Sequence, residues 1–465
     1  MKMNNNISKT MYVFIVIFLL IIGYFLSYVL IEGKDDINNP YNRRQHLIAE
    51  KIVRGSIYSK DLQILAKTET DDSGNETRVY PYDDLFCHVV GSYDMGQYCL
   101  ESAYNFDLLT TQTSIIDEVK AEINNVKLKG NSIVTTLDID VQKACDKAIG
   151  DYTGSVVIID ATTGDILSMV SKPGYNPNDI SILWEDIKSD ESGILLNRAT
   201  QGLYPPGSVF KIFTLGEYID SHKKSYINYS FECTGTIEFT DFSMSCSFKR
   251  AHGSMNLLNS FANSCNCAFA NIGTMIDADK LNEYCQDKLF NSTLPLDIDY
   301  KKSSITLSNS DSEFMKTQTV IGQGETLVTP IHMCMVMSSI ANDGVLMIPR
   351  LVTSIIDNNG NTILEYNPKK YDTLYTVEEA GLLKTYLREV VVNGTAYRLN
   401  SETMEVYGKT GTAQISSESK ADSWFVGAVE TATGHKYAIA VVLENIDENT
   451  MPAVVVTKEI LKVLD

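Results

Sequence analysis

A serine and a lysine stand three residues apart in the segment 204–211, which reads YPPGSVFK. The prolines and the glycine prevent a helix before Ser208, so Ser208 is predicted to lie at a helix N-terminus, where the dipole favours an oxyanion. Residues three apart are neighbours on a helix surface, so the Lys211 amine can reach the Ser208 hydroxyl. A lysine whose pKa is lowered by apolar surroundings and other cations can remove the serine proton. The segment therefore predicts a serine nucleophile with a lysine base.

The Ser-x-x-Lys spacing is a weak indicator by itself. It recurs at Ser221 with Lys224 and at Ser417 with Lys420. A serine after Pro-Gly also commonly does no more than cap a helix. Ser208 differs from the other two because it lies between a breaker cluster and an apolar run, and because two further polar clusters follow it.

Those two clusters offer groups that a nucleophilic serine would need. Ser264 and Asn266 fall in a stretch, 257–272, that is predicted to be helical, and they place a hydroxyl and an amide two residues apart. The other cluster lies on a predicted strand and consists of Lys409, Thr410, Gly411 and Thr412, with the glycine allowing close approach of a ligand backbone. Each has an alternative interpretation, as ordinary polar residues of a helix and as a strand lysine facing solvent. A second Ser-x-Asn, at 254–256, is interpreted as a helix start.

Composition limits the class of protein. The chain has 465 residues, 44% hydrophobic and 21% charged, which predicts more than one domain. Its formal charge of −20 argues against a nucleic-acid partner, because phosphate binding needs clustered Lys and Arg. The nine cysteines lack any Cys-x-x-Cys spacing and the six histidines are scattered, so neither a structural zinc site nor a cofactor is expected.

Two cysteine pairs could form disulfides if the compartment permits them. Cys233 and Cys246 flank a segment that looks like a hairpin and are the preferred pair, and Cys87 with Cys99 is the second choice. The sequence fits equally well with all the cysteines unpaired.

An uncharged apolar run covers residues 11–31, long enough to cross a bilayer as a helix. Lys2 and Lys9 precede the run and acidic residues follow it, which predicts a cytoplasmic N-terminus (1–10), an anchor (11–31) and the rest of the chain outside. The alternative is a cleaved signal peptide, but the run is longer than a typical signal core and no Ala-x-Ala site follows.

The remaining chain divides into two predicted domains. Residues 32–143 are polar and interrupted, which predicts a small, irregular pedestal without a convergent chemical cluster. Residues 144–465 predict an α+β domain, with an apolar hairpin over 155–170, helices over 208–341, antiparallel strands between 405 and 443, and a helix over 451–464. This order predicts a central antiparallel sheet flanked by helices, with a cleft between the helical insertion and the sheet edge.

In the order Ser-x-x-Lys, Ser-x-Asn, Lys-Thr-Gly, the three clusters match the signature of penicillin-binding proteins and serine β-lactamases. The resemblance covers nearly the whole chain, and it is to class B penicillin-binding proteins, which are single-span, outward-facing peptidoglycan transpeptidases. The short pedestal is similar to that of the smaller members. The further segments that resemble this class are Arg54-Gly55, Leu65-Ala66, Thr136-Leu137-Asp138, Gln142, Gly154 to Met169, His252-Gly253, Gly322-Gln323-Gly324, Thr329-Pro330, Ala341-Asn342-Asp343-Gly344 and Trp424-Phe425-Val426-Gly427.

The resemblance implies a role for each group in acyl transfer. Ser208 would attack the penultimate D-Ala carbonyl of a stem pentapeptide after Lys211 takes its proton, and Ser264 would relay a proton to the leaving amine. Backbone N–H groups of Ser208 and Thr412 would form the oxyanion hole. Asn266 would bind the amide on the acyl side.

The resemblance also assigns the Lys-Thr-Gly strand to substrate binding. Lys409, Thr410 and Thr412, with Gly411 between them, would hold the terminal carboxylate of the substrate. The Lys409 cation would in addition lower the pKa of Lys211.

The implied partners are peptidoglycan stem peptides ending in D-Ala-D-Ala, β-lactam antibiotics, and a membrane glycan polymerase of the SEDS family. Two alternatives share the motifs: a class D-like β-lactamase, which would need neither anchor nor pedestal, and a β-lactam sensor, which would carry several spans. A third alternative is a catalytically silent scaffold that activates the polymerase.

Overall fold

The computed structural model describes residues 5–31, 49–94, 98–113, 115–124, 126–414, 420–447 and 450–464. The helices are α1 (Asn5–Ile31), α2 (Cys99–Ala103), α3 (Asn105–Leu108), α4 (Ile115–Asn124), α5 (Ile139–Ile149), α6 (Ile180–Ser189), α7 (Lys211–Ser221), α8 (Leu257–Ala262), α9 (Asn266–Gly273), α10 (Ala278–Asp287), α11 (Glu313–Val320), α12 (Pro330–Ala341), α13 (Val377–Val392) and α14 (Pro452–Leu464). The strands are β1 (Ile52–Val53), β2 (Ile57–Tyr58), β3 (Ile64–Thr70), β4 (Glu76–Val79), β5 (Leu128–Lys129), β6 (Ser132–Thr135), β7 (Gly154–Asp160), β8 (Ile166–Lys172), β9 (Ser230–Cys233), β10 (Thr236–Glu238), β11 (Ser243–Ser245), β12 (Gly253–Asn256), β13 (Val345–Met347), β14 (Val352–Ile356), β15 (Thr362–Glu365), β16 (Lys370–Thr373), β17 (Met404–Gln414), β18 (Lys420–Thr431) and β19 (Lys436–Asp447).

A five-stranded sheet with the order β17-β18-β19-β7-β8 forms the centre of the larger unit. All four pairings are antiparallel, which confirms the predicted central antiparallel sheet. β18 is buried along almost its whole length, as expected for a strand covered on both faces. Helix α12, buried at every residue, packs on this sheet, and α5 packs with α14 against it elsewhere. The strand β17, which carries Lys409, lies at the edge of the sheet.

A second sheet with the order β15-β14-β6-β2-β3-β4 draws on both predicted domains. The strands β2 and β3 form an antiparallel pair after Arg54. β6 then pairs in parallel with β2 and in antiparallel with β14, which comes from much later in the chain. The predicted boundary at 143/144 stays a prediction, and this sheet crosses it.

The pedestal region contains a buried network of charges that the sequence analysis did not anticipate. Glu101 is fully buried, and its carboxylate accepts hydrogen bonds from Arg54 Nε at 2.7 Å and Arg78 Nε at 2.8 Å. Tyr80 donates to the same carboxylate at 3.2 Å. Burial alone would raise the pKa of Glu101, but the two guanidinium groups outweigh it and lower the pKa. This network ties β4 to α2.

Helix α1 is the one described helix that is long and apolar enough to cross a membrane, over Lys9–Tyr28. Its described side chains are exposed except for that of Tyr28, which is half-buried, as expected for a helix with little protein around it. The acidic residues that follow the predicted anchor lie outside the described residues, and so does Lys2.

All nine cysteines lie in the described part of the chain and all are free. The sulfur atoms of Cys233 and Cys246 are 3.8 Å apart, too far for a disulfide bond. Cys99 instead donates a hydrogen bond to the carbonyl oxygen of His88. Of the three options left open, the unpaired one is therefore the one found.

Candidate active site

Ser208 lies in a single 3₁₀ turn, Gly207–Phe210, that leads directly into α7. Gly207 has a positive φ of 53°, and its N–H donates to the carbonyl of Gly322 at 2.8 Å. A side chain at Gly207 would come within 2.7 Å of the carbonyl oxygen of Thr412 on β17, so only glycine fits this close approach. The turn is thereby held against the sheet edge, and Ser208 within it is half-buried.

The amine of Lys211 is buried and makes three hydrogen bonds with the Ser264 turn. It donates to the carbonyl oxygen of Ser264 at 2.9 Å, to the hydroxyl of Ser264 at 3.3 Å and to Oδ1 of Asn266 at 2.7 Å. Its ammonium also lies 5.3 Å from the ring centre of Phe269. Two of the three predicted clusters therefore meet at this amine.

Lys409 brings the third cluster to the same point. It is fully buried, and its amine donates to the Ser264 hydroxyl at 2.8 Å and to the carbonyl of Thr410 at 3.1 Å. The hydroxyl of Ser264 thus lies between the amines of Lys211 and Lys409. Residues that are far apart in the chain share one hydrogen-bonded centre.

Ser264 reaches this position because the predicted helix over 257–272 is broken, and the prediction of one continuous helix was wrong. Helix α8 ends at Ala262 and α9 begins at Asn266. Ser264 between them has a φ of 55°, a left-handed conformation that non-glycine residues rarely adopt. Such strain often occurs at functional positions, because surrounding contacts must hold it.

The pKa values of both lysines are lowered, but of the two causes expected from the sequence, apolar surroundings and a nearby cation, only burial lowers the pKa of Lys211. Burial lowers the pKa of Lys211 to about 8, and the neighbouring cysteines counteract it. Burial also lowers the pKa of Lys409 far below its usual value, with the charge of Lys211 as the second cause. We expected Lys409 to lower the pKa of Lys211. Desolvation dominates because neither amine reaches solvent.

The residues after Lys409 face different surroundings. Thr410 is buried, and its hydroxyl shares a 2.5 Å hydrogen bond with the hydroxyl of Thr395. Thr412, on the same face of the strand, is half-buried. A side chain at Gly411 would come within 2.9 Å of Val209 and 3.0 Å of the Cβ of Trp424. Packing of the Ser208 turn on β17 therefore already requires this glycine, whether or not a ligand approaches.

The duplicate motifs lie away from this centre or outside the described residues. Asn256 of the second Ser-x-Asn caps α8 by accepting from the N–H of Asn259, which confirms the prediction of a helix start. Ser221 lies in the last turn of α7 and donates to Glu217. Ser417 lies outside the described residues.

Sequence reasoning missed two sets of residues around the site. The first is Thr395, which follows Gly394; a side chain at Gly394 would come within 2.2 Å of the carbonyl of Ala262. The chain from α13 therefore runs against the end of α8, and a Gly-Thr after a helix was the only local signal. The second set lies behind Ser264 and is a cluster of potential metal ligands: Cys233, Cys246, His252 and Cys265.

This arrangement suits nucleophilic acyl transfer. Two buried amines share one hydroxyl, and the half-buried Ser208 lies in the turn before α7 that packs on β17 through Gly207. A lysine with a pKa of about 8 is neutral in about one molecule in ten at pH 7, and this neutral form can accept a proton. The second lysine, Lys409, donates a hydrogen bond to the same hydroxyl.

Comparison with known proteins also indicates an acyl-transfer enzyme. The model of the penicillin-binding protein transpeptidase domain matches residues 154–462. Over 437 residues the chain is 28% identical to the peptidoglycan D,D-transpeptidase PbpA of Mycolicibacterium smegmatis, covering 88% of this chain and 87% of that protein.

Two solved structures are similar over most of the chain. The D,D-transpeptidase domain of a peptidoglycan glycosyltransferase from Eggerthella lenta is 30% identical, with a TM-score of 0.79, covering 89% of this chain and 99% of that one. The penicillin G acyl-enzyme complex of penicillin-binding protein A from Mycobacterium tuberculosis is 23% identical, with a TM-score of 0.79 and coverage of 89% and 100%. The family model alone spans well over half of the sequence, so the chain belongs to the penicillin-binding protein transpeptidase family, as a class B penicillin-binding protein.

Proposed function

We propose that this protein is a peptidoglycan D,D-transpeptidase that cross-links stem peptides through a serine acyl-enzyme and is acylated by β-lactams. The observation that carries the proposal is the meeting of Lys211, Ser264 and Lys409 at one hydroxyl, with Ser208 in the turn that leads into the helix of Lys211. Its relatives named D,D-transpeptidases support the reaction class.

In the first half of the reaction, Ser208 is the nucleophile and Lys211 is the base. The Ser208 oxygen forms a bond to the penultimate D-Ala carbonyl carbon, and the bond from that carbon to the nitrogen of the terminal D-Ala breaks. The proton taken from Ser208 passes through Lys211 and Ser264 to the leaving amine. The hydrogen bond between the Lys211 amine and the Ser264 hydroxyl, at 3.3 Å, supports this route.

Backbone groups stabilise the charge that develops on the carbonyl oxygen. We assign this role to the N–H groups of Ser208 and Thr412, because the tight contact of Gly207 with Thr412 brings the two backbones together. Asn266 contacts the amide on the acyl side of the substrate. Because its Oδ1 already accepts from Lys211 and its Nδ2 donates to Ser245, the substrate must replace or share one of these bonds.

The terminal carboxylate of the substrate binds along β17. Lys409 supplies the positive charge, and the hydroxyls of Thr410 and Thr412 supply hydrogen bonds on one face of the strand. Local positive potential attracts the anionic peptide terminus despite the net charge of −20. In the second half of the reaction, the amine of another stem peptide attacks the acyl carbon and releases Ser208.

The helix α1 anchors the enzyme in the cell membrane, with the transpeptidase domain on the outer side. The exposed apolar surface of α1 and the lysine at its start support this placement. The anchor and pedestal contact a membrane glycan polymerase of the SEDS family, which supplies new strands for cross-linking.

Labelling with fluorescent penicillin tests the proposal on the full-length protein in detergent. We expect one covalent label at Ser208 that persists for many minutes, and complete loss in Ser208→Ala. Ser221→Ala is the matched control, because Ser221 begins the other described Ser-x-x-Lys, and it should label normally. Labelling of Ser208→Ala would refute the assignment, and release of the label within seconds would indicate a β-lactamase.

A further inference from the structure

Four side chains of the types that bind metals converge directly behind the Ser264 turn. The sulfur and nitrogen ligand atoms of Cys233, Cys246, His252 and Cys265 all lie within 4.8 Å of one another. The three cysteines are buried and the histidine is half-buried. No carboxylate belongs to this group.

The distances within the group fit a tetrahedral metal ion. The sulfur of Cys246 lies 3.8 Å from that of Cys233 and 3.6 Å from that of Cys265, and His252 Nδ1 lies 3.4 Å from the sulfur of Cys233. With Zn–S bonds of about 2.3 Å and Zn–N bonds of about 2.0 Å, neighbouring ligand atoms of a tetrahedral site lie about 3.5 Å (sulfur to nitrogen) to about 3.8 Å (sulfur to sulfur) apart. A disulfide would need about 2.0 Å between sulfur atoms.

The donor set selects the metal. Three thiolates and one imidazole are soft ligands, whereas calcium and magnesium require oxygen. Four protein ligands fill a tetrahedral zinc site and leave no open position for water, which is typical of structural zinc rather than catalytic zinc. We propose that Cys233, Cys246, His252 and Cys265 bind one Zn²⁺ ion that holds the Ser264 turn in place.

The local fold indicates what such an ion would stabilise. Cys233 ends β9, Cys246 follows β11, His252 precedes β12, and Cys265 caps α9. The two sheets involved have only two short strands each, and such pairs are marginally stable alone. The small core beneath them is separate from the main core and consists of Cys233, Cys246, Met255, Cys265, Cys267 and Ala268. One ion would join all four segments where few large apolar side chains do so.

A fifth thiol provides an internal control. The sulfur of Cys267 lies 3.4 Å from that of Cys246 but is not one of the four mutually close ligand atoms. We assign it to the surroundings of the site and not to the ligand set. The distinction can be tested, because a cysteine that is only adjacent can be replaced without loss of the metal.

The ion would act on catalysis through position alone. Cys265 stands between Ser264 and Asn266, which both bond to Lys211. Fixing the sulfur of Cys265 fixes the backbone that holds Ser264 in its left-handed conformation. This positioning role in catalysis rests on the proposed function, whereas metal binding itself does not. Cys233, Cys246, His252 and Cys265 are therefore positioning residues.

The metal itself is tested on the full-length protein purified in detergent without chelators. We expect one zinc ion per chain by elemental analysis. After removal with a chelator, Co²⁺ should restore a visible spectrum with the d–d bands of tetrahedral cobalt and thiolate-to-cobalt charge transfer, with release of the thiol protons. Wild-type protein without zinc and without a cobalt spectrum would overturn the proposal, as would a mass showing a disulfide among these cysteines.

Variants identify the ligands. Cys233→Ser and His252→Ala should lose the zinc, while Cys267→Ser, in the same cluster, and Cys285→Ser, in α10, should keep one ion per chain. Zinc retained by both ligand variants would refute the assignment. Because the cobalt spectrum is measured on the wild type, a ligand variant that fails to fold does not remove the test.

The positioning role has its own readout. Removal of zinc should lower the rate constant for penicillin acylation by at least about tenfold, and added zinc should restore it. Unchanged acylation of the metal-free protein would refute the positioning role. If the zinc-loaded wild type binds one ion but is never acylated, the proposed function fails and the metal site stands.

Discussion

Two buried clusters of charge, one in the pedestal region and one at the candidate active site, are built on opposite principles. In the pedestal, the carboxylate of Glu101 lies between the guanidinium groups of Arg54 and Arg78. At the active site, Lys211 and Lys409 are both fully buried, and no described carboxylate forms an ion pair with either amine. Their common partner is a hydroxyl, that of Ser264.

The difference appears in the pKa values. The pedestal network keeps Glu101 charged, because its partners outweigh the cost of burial and lower its pKa. The active site does the reverse, because burial lowers the pKa of both amines and the neighbouring cysteines offset this only in part at Lys211. Partners of opposite charge hold a buried group in its charged form. A buried amine without such a partner lowers stability, and its shifted pKa suits it to proton transfer.

Replacing Lys211 should give the largest effect on acylation, without the loss of stability that most substitutions of buried residues cause. Lys211→Met should lower the rate constant for penicillin acylation by about 10²–10⁴-fold, because the base is lost. The free energy of unfolding at pH 7 should not fall, since a costly buried charge is removed. Stopped-flow labelling and chemical denaturation measure the two effects.

The sign of the stability effect depends on pH. The pKa of Lys211 is lowered from 10.5 to about 8, so the cost to the folded state is fully present below pH 8 and disappears as the pH rises to 10.5. The variant's advantage should shrink over the same range. Lys224→Met, an exposed control, should change neither quantity. A large loss of stability in Lys211→Met would make this lysine structural.

Replacing Glu101 should give the opposite pattern. Glu101→Gln leaves two buried guanidinium groups without their anion and should lower the free energy of unfolding by about 3–5 kcal/mol. Acylation per folded molecule should stay unchanged, because the network touches none of the proposed catalytic residues. The stabilisation is present above pH 4.5 and lost as the pH falls further, because the folded-state pKa lies below that value.

An exposed ion pair provides the control for the pedestal. Glu122 pairs with Lys51 at 3.3 Å with both side chains largely exposed. Glu122→Gln should change stability by less than about 1 kcal/mol. If Glu101→Gln and Glu122→Gln changed the free energy of unfolding equally, burial would not distinguish the two ion pairs, and the contrast between them would be wrong.

Apart from the controls, Thr395 should give the smallest effect of the substitutions, and it tests the edge of the active-site cluster. Thr395→Val removes the hydrogen bond to Thr410, and we expect a loss of about 1 kcal/mol in binding a carboxylate-bearing β-lactam. The rate of the acylation step itself should be retained. Saturation kinetics separate the two, and a change confined to the step after binding would contradict the role.

Much of the fold followed from patterns along the chain. Apolar strands around a Gly-containing turn predicted β7 and β8, and alternating late segments predicted the strands that carry Lys409 and Trp424. The second sheet was not predicted, because β14 joins β6 only through long-range pairing. Single-sequence periodicity contains no signal for such a partner.

The residues of the active site that form rare combinations of residue types could be predicted from the sequence. Features that depend on backbone conformation could not. Ser208, Ser264 and Lys409 came from motif order, but the break at Ser264 requires a left-handed residue that no breaker marks. The cysteine cluster was missed because its consecutive members are 6 or 13 residues apart along the chain and meet only after β9, β11, β12 and α9 assemble. Burial of the lysines likewise depends on the whole fold.

The pH dependence of Ser208 acylation tests most directly whether an unpaired, buried amine is the base. Using penicillin as substrate, we predict that the acylation rate constant rises about tenfold per pH unit below pH 7 and levels off near pH 8, following the lowered pKa of Lys211. A profile that stays flat from pH 6 to 9, or that keeps rising towards pH 10.5, would contradict the account.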